Sequence, residues 1–181
     1  MTAALIIIDV QLGFTAKDYW GRRNNPSFER NLARLIEAWS GPIVVVQHNS
    51  TSPGSPLHPS NAGNALMTVV AEIEPDLLVT KSVNSAFYGE PDLHAWLLGA
   101  DIDEVVICGI QTNMCVETTA RMAGNLGLTV TVPLDATHTF DLKGSDGTVL
   151  TADVLSRATG VNLSGGGFAA VVTTEQLLAT L

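Results

Sequence analysis

EVVICGIQTNMCVETTARMAGNLGLTVTVP, residues 104–133, decides the fold. Its first part, Glu104–Cys108, is an apolar run with no polar alternation, the pattern of a parallel strand buried on both faces. From about Met114 to Leu126 the residues suit a helix, and Gly127 supplies its stop. Thr129–Pro133 is a second β-rich run. Strand, helix and strand in about 30 residues make a βαβ unit, whose crossover lays the helix on one face of a parallel sheet. Between the strand and the helix sits a polar turn that leads to a single cysteine, Cys115.

The same alternation extends in both directions. Strands are predicted at Ala3–Asp9, Ile43–Gln47, Leu77–Lys81 and Phe168–Val172 in addition to the two above. A first helix has Pro26 near its start, Leu32, Leu35, Ile36 and Trp39 on one face, and Gly41 past its end. A second is opened by Pro91 and carries Leu93, Trp96 and Leu97. A fourth covers about Thr148–Ala158, and the last begins at the capping-box-like Thr173–Gln176. Six β/α alternations predict a single α/β domain over residues 1–181: a three-layer αβα sandwich around a doubly wound, mostly parallel, six-stranded sheet of Rossmann-like type.

Composition narrows the function. Nine basic against eighteen acidic residues give a net charge of −9, which repels phosphate backbones and anionic membrane surfaces. No nucleic-acid or membrane partner is expected. Apolar runs such as Ala3–Ile8 are too short to cross a bilayer, and MTAALIIIDV lacks the basic flank and cleavage site of an export signal. Two cysteines, Cys108 and Cys115, are too close in sequence to staple distant elements, so a reducing, cytoplasmic setting is expected.

In an open α/β sheet the ligand sits beyond the carboxyl ends of the strands. Asp9 ends the first strand, Lys81 ends the third, and Cys115 follows the fourth by one turn. Each alone has an ordinary structural use: a turn acceptor, a lysine snorkelling to solvent, a small buried hydrophobe. Together they are a base, a cation and a nucleophile, the set that amide cleavage through a thioester requires. A first-turn position and a nearby ammonium are expected to favour the Cys115 thiolate. Two long loops, His48–Asn64 and Asp135–Gly147, also follow strands and are expected to wall the site. Phe14, Trp20, Phe87 and Tyr88 are pocket candidates or core residues, and His48 and His138 are candidates to hydrogen-bond a substrate.

ALIIIDVQLGF around Asp9, VTKSVNSAFYG around Lys81 and VVICGIQTNMCVETTARMAGNLGLTVTVPLDAT around Cys115 resemble the isochorismatase-like cysteine hydrolases, a group that includes nicotinamidases and N-carbamoylsarcosine amidohydrolase. The resemblance spans nearly the whole chain. It implies an Asp9–Lys81–Cys115 triad and a cis peptide at Ile110–Gln111, which turns the Gln111 N–H inward beside the Cys115 N–H as an oxyanion hole. It further implies hydrolysis of a small amide-type substrate without a cofactor, and assembly as a homodimer or homotetramer. Nicotinamidases of the group carry an Asp-x-His motif and a later histidine that bind a metal. Here the matching stretch offers His48 and His58 but no aspartate, so no metal is expected. Two alternatives stay open: vinyl-ether hydrolysis of the isochorismatase type, which needs no thiol, and a catalytically silent binding or scaffold protein.

Overall fold

The central strands sort their side chains by parity, and that sorting builds two cores on one sheet. The computed structural model describes residues 3–181. β1 (Ala3–Ile8), β2 (Ile43–His48), β3 (Leu77–Lys81), β4 (Glu104–Ile110), β5 (Thr129–Pro133) and β9 (Ala170–Val172) run parallel in the order 3-2-1-4-5-9. Ala4, Ile6, Ile8, Val44, Val46, Val105 and Ile107 point to one face. They pack against α4 (Leu93–Gly99), α5 (Glu117–Asn125) and α6 (Ala152–Gly165) through Leu93, Leu97, Ala120, Ala123 and Leu163. Leu5, Ile7, Val45, Val106, Cys108 and Ile110 point to the other face. There they meet α2 (Phe28–Ala38), α3 (Thr68–Ala71) and α7 (Thr174–Leu178) through Phe28, Leu32, Leu35, Val70 and Leu177. Strands buried on both faces in this way need no polar alternation. A short α1 (Lys17–Trp20) lies between β1 and α2.

The architecture is the expected α/β sandwich, and among the described residues its central sheet has seven strands rather than six. The extra one, β6 (Thr137–His138), arises because a 3-10 turn at Leu134–Ala136 carries the chain off β5 and back onto the far end of β4, where Thr137 pairs with Gly109 and His138 with Ile110. The fourth helix begins four residues later than expected. Asp146 accepts from the Thr148 N–H and hydroxyl at 2.9 and 2.8 Å, and this turn closes a hairpin of β7 (Leu142–Lys143) with β8 (Val149–Leu150). The helix starts only after Thr151, whose hydroxyl caps the Val154 N–H. The Thr173–Gln176 capping box is present. Among the described residues no helix is long and apolar enough to cross a membrane.

The strand order reverses between β1 and β4, which leaves a crevice at their carboxyl ends. Here β1 and β4 run so close that a Cβ on Gly109 would lie 2.1 Å from the Ile8 carbonyl oxygen, and Gly109 has φ +119°. Only glycine fits this position. Asp9, the first residue beyond β1, has φ +51°, in the left-handed region that side chains seldom adopt.

Candidate active site

The crevice collects the three residues that the sequence places at strand ends. Asp9 and Lys81 come from the carboxyl ends of β1 and β3, the two strands that flank β2, and their side chains are fully buried, with Lys81 Nζ 2.6 Å from Asp9 Oδ2. The Asp9 carboxylate, His48 and Cys115 present atoms within 4.8 Å of one another. Asp9 Oδ1 is buried without a hydrogen-bond partner. Burial raises the Asp9 carboxyl above its usual range, against the pull of Lys81 and of hydrogen bonds from Lys81 and Cys115.

Cys115 does not sit in the first turn of an α-helix. Thr112–Val116 forms a π-helical turn ahead of α5, with the Gln111 carbonyl accepting from Met114 N and Val116 N at 3.1 and 3.2 Å. The expected thiolate is corrected as well. Burial and the facing Asp9 carboxylate push the Cys115 thiol up to about 12, and Lys81 only partly offsets them. At rest the centre therefore holds a neutral thiol beside the buried Asp9–Lys81 pair. The Ile110–Gln111 peptide is cis. Cys108 is buried on the opposite face of β4, where burial alone pushes it up to about 12.

A cavity of about 220 Å³ opens onto this centre. Phe14, Trp20, Leu57 and Met114 form its apolar wall, and Asp9, His48, Asn84, Gln111 and Cys115 its polar one. Trp20 lies tilted against Phe14 at 4.9 Å and stacks on Phe140 at 5.5 Å between ring centroids, and its indole N–H donates to the Gly13 carbonyl at 2.9 Å. Larger surface hollows, of about 610 and 620 Å³, lie by the ends of β5 and β9 and beside Arg22 and Arg23, away from the thiol.

Three pocket candidates do not line the cavity. Phe87 is held in the core beneath α4 because Ser85 caps its N–H at 3.3 Å and the Thr119 hydroxyl takes the adjacent Ala86 N–H at 3.1 Å. Tyr88, the next residue, is 72% exposed. His138 is fully buried, edge-on to Phe28 and Phe140 at 4.7 and 5.2 Å, with neither ring nitrogen hydrogen-bonded. Phe14, Trp20 and His48 do line the cavity.

Sequence reasoning missed Asn84, Leu57 and Met114, whose types carry no chemical signal, and it missed an amide clamp. Gln11 donates to the His48 and Asn64 carbonyls at 3.0 and 2.8 Å and accepts from His48 N at 2.8 Å. Asn64 in turn donates to the His48 and Leu57 carbonyls at 3.0 and 2.8 Å. A wholly buried glutamine two residues after Asp9 thus fastens the long loop that walls the site.

The donor set does not fit a resident metal. Asp9, His48 and Cys115 are close enough to share a cation, but the Lys81 ammonium already stands 2.6 Å from Asp9 and 3.2 Å from His48 Nδ1. His58, the other histidine of the loop, turns to the Ser60 hydroxyl at 2.7 Å on the surface.

Comparison with known proteins places the chain. A family model described as an isochorismatase domain matches residues 3–176. The chain is similar to YrdC, an isochorismatase family protein of Bacillus subtilis (strain 168), at 38% identity over 97% of this chain and 94% of that one. It is also similar to nicotinamidase 3 of Arabidopsis thaliana, at 31% identity over 99% of this chain and 88% of that one. A crystal structure from Chromobacterium violaceum assigned to the same family superposes with a TM-score of 0.90 at 32% identity, covering 98% of this chain and 92% of that one.

Proposed function

Since this chain belongs to the isochorismatase family, we propose that it is a cysteine hydrolase that cleaves the C–N bond of a small amide-type substrate through a thioester. The observation that carries the reading is the buried Asp9–Lys81 pair at 2.6 Å beside a neutral cysteine thiol, at the point where the strand order reverses. A relative named nicotinamidase supports a carboxamide as the class of bond, and one named streptothricin hydrolase supports hydrolysis.

A thiol pushed up to about 12 is no obstacle to this chemistry. That value describes loss of the proton to solvent, which would leave two anions in one dry site. Transfer of the proton to Asp9 instead moves a single negative charge from carboxylate to sulfur, and Lys81 stays beside it. A carboxyl raised by burial is the stronger base for that step. The thiolate then attacks the carbonyl carbon, and the tetrahedral oxyanion takes hydrogen bonds from the Gln111 and Cys115 N–H groups. Removing one such donor typically costs about 2.7–4 kcal/mol of barrier. Protonated Asp9 gives its proton to the leaving nitrogen, and ammonia or an amine departs. The carboxylate next deprotonates water, which attacks the thioester. The acid leaves, and the proton returns to sulfur.

The cavity also speaks to the alternatives. Among the described residues no lysine or arginine lines it, and the nearby Lys81 ammonium is already paired with Asp9, so it offers no free cation to a dicarboxylate such as isochorismate. Vinyl-ether hydrolysis has no use for the thiol, and a silent scaffold has no use for a buried ion pair. The test is a panel of primary amides, N-carbamoyl compounds, lactams and isochorismate, followed by product release and intact mass. Some amide should transiently add its acyl group to Cys115, and Cys115→Ser should abolish turnover. Isochorismate turnover that survives Cys115→Ser, or binding without turnover across the panel, would overturn the reading.

A further inference from the structure

An ammonium has three N–H bonds to place. Lys81 gives one to Asp9 Oδ2 at 2.6 Å, and a second faces His48 Nδ1 at 3.2 Å. A nitrogen that accepts carries no proton, so the ring is the Nε2–H tautomer. Its hydrogen bond to the Val83 backbone is then a donation to that carbonyl. The ring is placed from behind by the amide clamp, since Gln11 holds both the N–H and the carbonyl of His48. With two of its directions taken, the tetrahedral ammonium has one N–H left for the cysteine, whose thiol Lys81 draws downward.

We infer that His48 is the positioning residue of this centre: its Nδ1 holds one N–H of Lys81 so that the other two face Asp9 and Cys115. The inference rests on the catalytic reading of those three residues. A neutral acceptor is the right partner for this task. The anion alternates between carboxylate and sulfur during proton transfer, and the ammonium must serve both. A second carboxylate at this place would draw the ammonium away from sulfur, and an imidazolium would repel it. The ring faces Asp9 from the end of β1, Lys81 from the end of β3, Cys115 from the π-turn after β4, and the Val83 carbonyl. Burial and then Lys81 lower it to about 4, so it remains an acceptor through the neutral range.

The test needs no substrate. The rate of iodoacetamide alkylation at Cys115, resolved from Cys108 by peptide mass, reads how well the site forms its thiolate. At pH 7 His48→Leu should slow it about tenfold or more, the scale of a hydrogen bond to a charged group. His48→Gln, whose Oε1 can accept the same N–H, should return it to within about threefold of the parent. A second measurement bypasses any folding defect in these variants. In ring-nitrogen NMR, His48 of the unaltered protein should be the neutral Nε2–H tautomer at pH 6, and Lys81→Met should raise its titration midpoint. Alkylation that is the same in His48→Leu and the parent, or a midpoint unmoved by Lys81→Met, would overturn the inference. If instead alkylation responds to His48 while no amide is turned over, the positioning role stands and the hydrolase reading falls.

Discussion

Asp9→Asn separates proton transfer within the site from proton loss to solvent, because the two depend differently on pH. In the unaltered protein the thiol proton passes to Asp9 with no change in the charge of the site, so above the Asp9 midpoint the thiolate population does not vary with pH. Asparagine cannot take the proton. It must leave to solvent, and the thiolate population then rises tenfold per pH unit up to the thiol's own midpoint. That midpoint also moves. Asp9 and Cys115 lie within 4.8 Å, both buried, and two unit charges at that distance repel by about 3 kcal/mol at an effective dielectric near 20, about two pK units. Removing the carboxylate should therefore bring the thiol down by roughly that much from about 12, although burial continues to hold it high. The assay is the rate of Cys115 alkylation between pH 6 and 10, with Cys108 as the internal control. A flat profile should become one that climbs with pH, and the variant should react faster than the parent at pH 9. Amide turnover should fall by about 10²–10⁴, the usual loss with a general acid–base group. A parent profile that already climbs tenfold per pH unit, or a flat one in Asp9→Asn, would refute the transfer argument.

Other outcomes follow from the same structure. Activity should survive prolonged EDTA treatment, because Lys81 occupies the place between Asp9 and His48 that a cation would take; loss on chelation with recovery on adding zinc would contradict this. His138 is buried neutral, with burial lowering it to about 3 from 6.5. Between those values the unfolded chain binds the extra proton, so stability drops as pH falls through that window, and His48, lowered to about 4, acts in the same direction. His138→Phe should leave stability at pH 7 unchanged or raised, since two unpaired nitrogens are removed, and should flatten the acid loss in denaturant melts at pH 7 and 5. Gly109→Ala should destabilise by about 3 kcal/mol or more in the same melts, because its Cβ would strike the Ile8 carbonyl oxygen at a positive φ.

Period and punctuation in the chain are enough to place six of the strands within two residues, the parallel sheet and the rim on which Asp9, Lys81 and Cys115 meet. The reason is physical: a strand buried on both faces must be apolar throughout, and the first polar residue at its carboxyl end marks where the sheet stops and a crevice can begin. Local pattern is weaker where distant contacts compete. Thr148–Leu150 reads as the start of a helix, yet pairing with Leu142–Lys143 claims it for a hairpin. Thr137 and His138 read as loop, and only the far end of β4, which β5 leaves unpaired, makes them a strand.

The site divides along the same line. Residue type alone nominates a nucleophile, a base and a cation, since few side chains can perform those roles. Whether Cys115 rests as thiol or thiolate depends on burial and on Asp9, a residue more than a hundred positions away, and these outweigh the nearby ammonium. Phe87 and Tyr88 differ by one position, and packing against α4 buries one while the other faces solvent. Asn84, Leu57 and the Gln11 clamp have ordinary side chains whose part in the site comes only from where the chain brings them. Chemistry that belongs to a side chain is written in the sequence; distance, desolvation and the company of other charges exist only once the chain has folded.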